Sequence, residues 1–148
     1  METIPEGWLQ FLFVAVPVLS LVGTLMGLRT ARRLDQALRG RPLFAAELRW
    51  GDLGAVDLTG ARTVEVASRG KHLLHRLDDG RTVHTHLRME GFWRVVATGD
   101  AARARQQRSR DVRAVLVTDD WTCLGLRLGM LDLVPTTQEH RLVGHLGP

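Results

Sequence analysis

The hydrophobic pattern of the chain changes character after its first thirty or so positions. Residues 7–28 carry no charged side chain, and the apolar run that opens at Trp8 is broken by hydroxyls only at Ser20 and Thr24. Written as a helix, this stretch would cover roughly 30 Å at about 1.5 Å per residue, the thickness of a bilayer's hydrocarbon core. Arginines begin directly behind it at Arg29, which would place the rest of the chain on the cytoplasmic side of a membrane. Acidic Glu2 and Glu6 precede the run, and neither a basic start nor a small-residue cleavage site is evident, so it does not read as a secretory signal. A membrane span, a buried hairpin and a mis-joined start remain open for it. From Thr30 the period becomes helical and amphipathic: Ala31, Leu34 and Leu38 share one face, charges occupy the other, and Gly40 ends the helix.

Beyond Pro42 the period shortens to two. Thr63 to Ala67, Leu73 to Leu77, Thr82 to Met89 and Phe92 to Val96 alternate as strands, with Asp79-Gly80 as a hairpin turn. Residues 99–110 are polar and arginine-rich, and are expected as a loop outside the sheet. Strands resume at Val112 to Thr118, turn at Asp119-Asp120 and continue from Trp121 to Leu128, and the tail from Pro135 mixes turn residues with scattered apolar ones. The pattern predicts an α+β protein: a helix followed by a mainly antiparallel sheet closed as a two-layer β-sandwich, with a long apolar helix in front.

The length of 148 residues allows one domain and an appended segment. The net charge of +4 and pI near 10.8 favour an anionic partner, nucleic acid or an acidic membrane surface, and the arginines crowd residues 29–41 and 103–113. A single cysteine, Cys123, excludes an internal disulfide and a cysteine-based zinc site built by this chain alone. Its apolar neighbours in a strand-like run make it a core thiol rather than a nucleophile.

Among twenty basic side chains only Lys71 is a lysine. An ammonium can meet a phosphate as a point charge, lose its proton and act as acid, base or nucleophile, whereas a guanidinium stays charged. An arginine-rich genome is the plain alternative explanation for its isolation.

Lys71 lies in Ser68-Arg69-Gly70-Lys71-His72-Leu73-Leu74, and the next hairpin ends in His86-Leu87-Arg88-Met89-Glu90-Gly91. Together with Thr30-Ala31-Arg32-Arg33-Leu34, these motifs resemble the formamidopyrimidine-DNA glycosylase and endonuclease VIII family, in particular its actinobacterial endonuclease VIII branch. The likeness runs from about Arg29 to Pro148. It implies a β-sandwich flanked by helices and a base-excision repair enzyme that removes oxidised bases and cuts the strand at the abasic site. It also implies that Lys71 faces the lesion and its phosphate, and that Met89 enters the duplex to fill the space of the everted base. A core residue at a hairpin end is the other reading of Met89. Arg88, Arg69, His86, Arg108 and Arg110 complete the expected DNA-binding set.

In the family an N-terminal proline is the nucleophile and the glutamate after it moves protons, which would assign those catalytic roles to Pro5 and Glu6. Here Ile4 acylates Pro5, and an amide nitrogen has no usable lone pair, so Pro5 qualifies only if processing frees it. Family members also continue past the position of Gly147-Pro148 into a helix-two-turn-helix module and usually a zinc finger. Neither is expected in this chain, so no zinc, no other metal and no other cofactor is predicted. His84 and His86 read as alternate residues of a strand, not ligands.

The resulting expectation is an apolar segment over residues 1–28 and a glycosylase N-terminal domain over 29–148. Its partner is damaged duplex DNA, with a membrane as a further partner if residues 7–28 span one; the chain is expected to be a monomer without a small-molecule cofactor. It would act in the cytoplasm at the nucleoid, or from the inner membrane with the domain facing the cytoplasm. Two other readings remain: a non-catalytic DNA-binding module, and a small membrane-anchored protein with a basic cytoplasmic domain.

Overall fold

The computed structural model describes residues 6–144, with the backbone alone for 6–17, 101, 103 and 104. Helix α1 (Glu6–Leu38) leads into β1 (Ala45–Leu48), a 3-10 turn (Gly51–Ala55), β2 (Thr63–Arg69), β3 (His72–Leu77), β4 (Arg81–His86) and β5 (Phe92–Ala97). Helix α2 (Ala101–Gln107), β6 (Val112–Val117), β7 (Trp121–Leu126), β8 (Met130–Pro135), a second 3-10 turn (Thr136–Gln138) and a short α3 (His140–Val143) follow.

The strands form two antiparallel four-stranded sheets, ordered β1-β6-β7-β5 and β2-β3-β4-β8. The fold is α+β, as the alternating pattern predicts. One hydrophobic core joins the sheets to the helix: Leu116, Cys123 and Trp93 come from the first, Leu73, Val83 and Leu131 from the second, and Leu34 and Leu38 from α1. Burying a leucine of this kind is worth about 1.5–3 kcal/mol. Cys123 has no exposed surface, and burial raises its thiol pKa to about 12, so it belongs to the core and not to any nucleophilic site.

Helix α1 buries a single stripe along the face Gly23, Gly27, Ala31, Leu34 and Leu38, at the three- and four-residue spacing of one helix side. Asp35 fastens it to the second sheet, since its carboxylate accepts from the Val66 backbone N–H at 2.8 Å and from Arg39 Nε at 2.9 Å. Gly40 then takes a left-handed conformation, φ +75°, and its N–H turns to the Thr63 carbonyl at 2.8 Å, which ends the helix.

Three expectations are corrected. Residues 101–107 are helix, not loop, and the Asp100 carboxylate caps it by accepting from the Ala102 N–H at 2.9 Å. The strands β1 and β8 and the small α3 were not foreseen. Among the described residues no helix is long and apolar enough to cross a membrane. Residues 7–17 of the expected span lie outside the described side chains, and over 18–28 α1 lays Gly23 and Gly27 against the protein itself.

Candidate functional site

Lys71 sits at the tip of the two-residue connection between β2 and β3, where Arg69 pairs with His72 and Gly70 supplies the positive φ, +57°, that the reversal requires. Helix α1 crosses this tip without side chains in the way. A Cβ at Gly27 would overlap the Gly70 carbonyl oxygen, and one at Gly23 would stand 3.0 Å from Lys71 Cε. The aliphatic stem of Lys71 therefore lies along the helix.

Its ammonium reaches the neighbouring turn. Lys71 Nζ donates to the Arg88 carbonyl at 2.8 Å, and the Lys71 carbonyl accepts from the Leu87 N–H at 3.1 Å. The 87–91 turn closes through the Gly91 N–H to the Leu87 carbonyl at 2.8 Å, with Arg88 left-handed at φ 51°. Met89 stands at its tip with 91 % of its surface exposed, which removes the core reading of that residue.

Two further segments meet this end of the molecule. The Gly129 N–H donates to the His86 carbonyl at 2.9 Å, and the Arg88 side chain occupies the place a Gly129 Cβ would need. The Arg127 N–H donates to the Asp111 carbonyl at 2.7 Å, which draws in residues 108–111. Arg88, Arg108, Arg110 and Arg127 are all exposed there, and Arg69 is exposed at the end of β2. The expected residues Lys71, Met89, Arg88, Arg69, His86, Arg108 and Arg110 thus come from segments that converge on one end of the sandwich. Pro5 lies outside the described residues. Glu6 opens α1 with its side chain undescribed, roughly 25 Å along the helix axis from Gly23 at about 1.5 Å per residue.

An open cleft of about 240 Å³ separates α1 from the turn, with Ser20, Gly23 and Thr24 on one wall and Lys71, His72 and His86 on the other. The His86 pKa is lowered, first by burial and then by the charges of Arg88, His84 and Lys71. Its Nδ1 accepts from the Arg88 N–H at 2.9 Å, so the neutral ring carries its proton on Nε2. A slightly larger hollow of about 270 Å³, between α1 and the first sheet at Arg33, Gln36, Val95 and Trp121, offers no acid, base or nucleophile beyond one guanidinium.

Behind the cleft lies a chain of three side chains that no contiguous motif announces. His72 Nδ1 meets His84 Nε2 at 2.8 Å, and His84 Nδ1 meets Asp132 Oδ2 at 3.2 Å. His72 also meets His86 edge to face, with ring centroids 4.2 Å apart. The signal in the sequence was the alternation of His84 and His86 opposite His72. Among the described residues no cluster of histidine, cysteine and carboxylate side chains is arranged to hold a metal ion.

The family model described as the formamidopyrimidine-DNA glycosylase N-terminal domain matches residues 28–131. A probable endonuclease 8 2 of Streptomyces coelicolor is 47 % identical over 120 residues, covering 81 % of this chain and 43 % of the relative. The DNA-(apurinic or apyrimidinic site) lyase Nei2 of Mycolicibacterium smegmatis is 38 % identical over 119 residues, covering 80 % and 44 %. Among solved structures, the formamidopyrimidine-DNA glycosylase of Lactococcus lactis, non-covalently bound to DNA containing an AP site, superposes with a TM-score of 0.65. That likeness has 21 % identity and covers 83 % of this chain and 48 % of that one, and it bears on the fold. The chain spans less than half the length of each of these three proteins. By motif, by sequence and by the match to its N-terminal domain, the chain belongs to the formamidopyrimidine-DNA glycosylase family.

Proposed function

We propose that residues 29–148 are the catalytic N-terminal domain of a base-excision repair enzyme, a DNA glycosylase and abasic-site lyase acting in the cytoplasm on duplex DNA with an oxidised base. The observation that carries this reading is the tie between Lys71 and Arg88, which fixes the one lysine of the chain beside an exposed Met89. An ammonium held by a neutral carbonyl remains available to phosphate, and as the free amine it can attack the C1′ carbon of an opened sugar to form an imine. Met89 is the apolar wedge that fills the gap left by the everted base, which offsets part of the unstacking cost.

Arg69, Arg88, Arg108 and Arg110 are assigned to phosphates of the same duplex and His86 to the wall of the cleft. Such contacts position the protein without reading sequence and give strongly salt-dependent binding. Pro5 and Glu6 enter the chemistry only in a chain processed to begin at Pro5, so the amine we assign is Lys71. Strand cutting of a duplex with one abasic site tests the proposal. Cutting by the purified chain that disappears in Lys71→Ala supports it, and equal cutting by both proteins overturns it.

A further inference from the structure

We propose that the chain, expected as a monomer, pairs with a second copy of itself, antiparallel and about a two-fold axis, through the outward face of α1 over residues 18–28. Between those positions seven large apolar side chains stay exposed, from 37 % at Leu28 to 70 % at Leu19. At about 100 Å² apiece they amount to roughly 700 Å², more than the roughly 300–600 Å² that one patch on a monomer reaches. Two such patches face to face supply roughly 1,400 Å², inside the range of about 1,200–2,000 Å² that a stable complex buries.

The spacing of the patch is that of a helix pair. Val18, Leu21, Leu25 and Leu28 recur at intervals of three and four, the seven-residue repeat along which two helices interdigitate, and Val22 flanks the seam. The seam lies opposite Gly23, Gly27, Ala31 and Leu34, which pack on the protein, so a partner there does not displace α1 from the Lys71 turn.

Charge sets the direction. No acidic residue occurs from 7 to 34, and Arg29, Arg32 and Arg33 follow the seam directly, exposed and without a carboxylate partner among the described residues. A parallel pair would gather six guanidinium groups at one end, where like charges repel. An antiparallel pair sends the two trios to opposite ends, each towards the uncharged stretch of the other copy and the Glu2 and Glu6 that precede it in sequence. A lipid surface fits less well. A helix lying on lipid carries cations on a polar face behind its apolar one, whereas α1 has none from 18 to 28 and its other face is packed on protein.

Sedimentation equilibrium of the full chain over about 1–100 µM, with and without anionic lipid vesicles, tests the pair. The wild type should reach the mass of two copies. Leu21→Gln combined with Leu25→Gln, both exposed positions, should weaken self-association at least about 100-fold with an unchanged circular dichroism spectrum. Phe44→Gln, at an exposed apolar residue outside α1, should leave the pair intact. Oxidation of Leu28→Cys reads the orientation, because the native Cys123 is buried and antiparallel helices hold the two copies of position 28 too far apart for a disulfide. The wild-type mass and the Leu28→Cys result do not depend on how the double variant folds. A wild type that stays at one copy or exceeds two overturns the inference, as does a double variant that still pairs or a ready Leu28→Cys disulfide. Vesicle binding by a chain that is monomeric without lipid assigns the face to a membrane surface and overturns it too.

Discussion

Lys71 Nζ donates to the carbonyl oxygen of Arg88 at 2.8 Å, so the tip of one hairpin is tied to the turn that carries Met89. Lys71 and Met89 are thereby held in a fixed relation, and a change at one of the two turns is transmitted to the other.

Lys71→Ala should abolish strand cutting, by at least about 100-fold, at a stability cost of about 0.5–1.5 kcal/mol for one lost hydrogen bond. Lys71 is half-buried and contributes nothing to the hydrophobic core. Cutting assays and thermal melts on the same preparations separate the two effects, and parallel losses would make Lys71 a structural residue.

Met89→Ala should slow processing of a paired damaged base about tenfold more than cutting at a preformed abasic site, because an abasic site costs less to open. With 91 % of its surface exposed, the side chain leaves no cavity, so the melting temperature should not move. Equal slowing on both substrates would deny it the wedge role.

The two glycines of α1 should behave differently. Gly27→Ala drives a methyl into backbone, the Gly70 carbonyl, and should destabilise by about 1–3 kcal/mol. Gly23→Ala meets only the flexible end of Lys71, so it should leave the melting temperature nearly unchanged while displacing the ammonium and reducing cutting. Indistinguishable melts for the two variants would mean that α1 does not cross the turn as described.

Acid should weaken the fold through His75. Burial lowers its pKa from 6.5 to about 4, with Asp35 opposing weakly, and its Nε2 is matched with Thr63 Oγ1 at 2.7 Å. Between those values the unfolded chain binds the proton and the folded one does not, so stability falls as the pH drops from 6.5 towards 4. The loss is about 3 kcal/mol when complete. Denaturant titrations over that range should show the slope in the wild type and a shallower one in His75→Gln.

The legible parts of the fold were those where burial imposes a period. Thr63 to Ala67 and Leu73 to Leu77 are strands that send Val66, Leu73 and Leu77 into the core, and Asp79-Gly80 closes the hairpin with Gly80 at φ +85°. The short β1 has only Leu48 buried and β8 only Leu131, so the alternation there is faint. In residues 101–107 the charge obscured good helix formers behind an Asp cap, a signal that was present and outweighed. At the site, Lys71 and Met89 could be found because each lies in a contiguous motif. The His72, His84 and Asp132 chain could not, since it depends on the pairing of β4 with β8 across residues distant in sequence.

The central claim is that Lys71 forms an imine with the abasic sugar, and borohydride trapping on a duplex with one abasic site, followed by mass-spectrometric mapping of the adduct, tests it most directly. Lys71 is the only lysine in the sequence, so the mapped position is unambiguous. An adduct on Lys71 that vanishes in Lys71→Ala is the predicted result; an adduct mapped elsewhere, or none where a full-length relative traps normally, would contradict it.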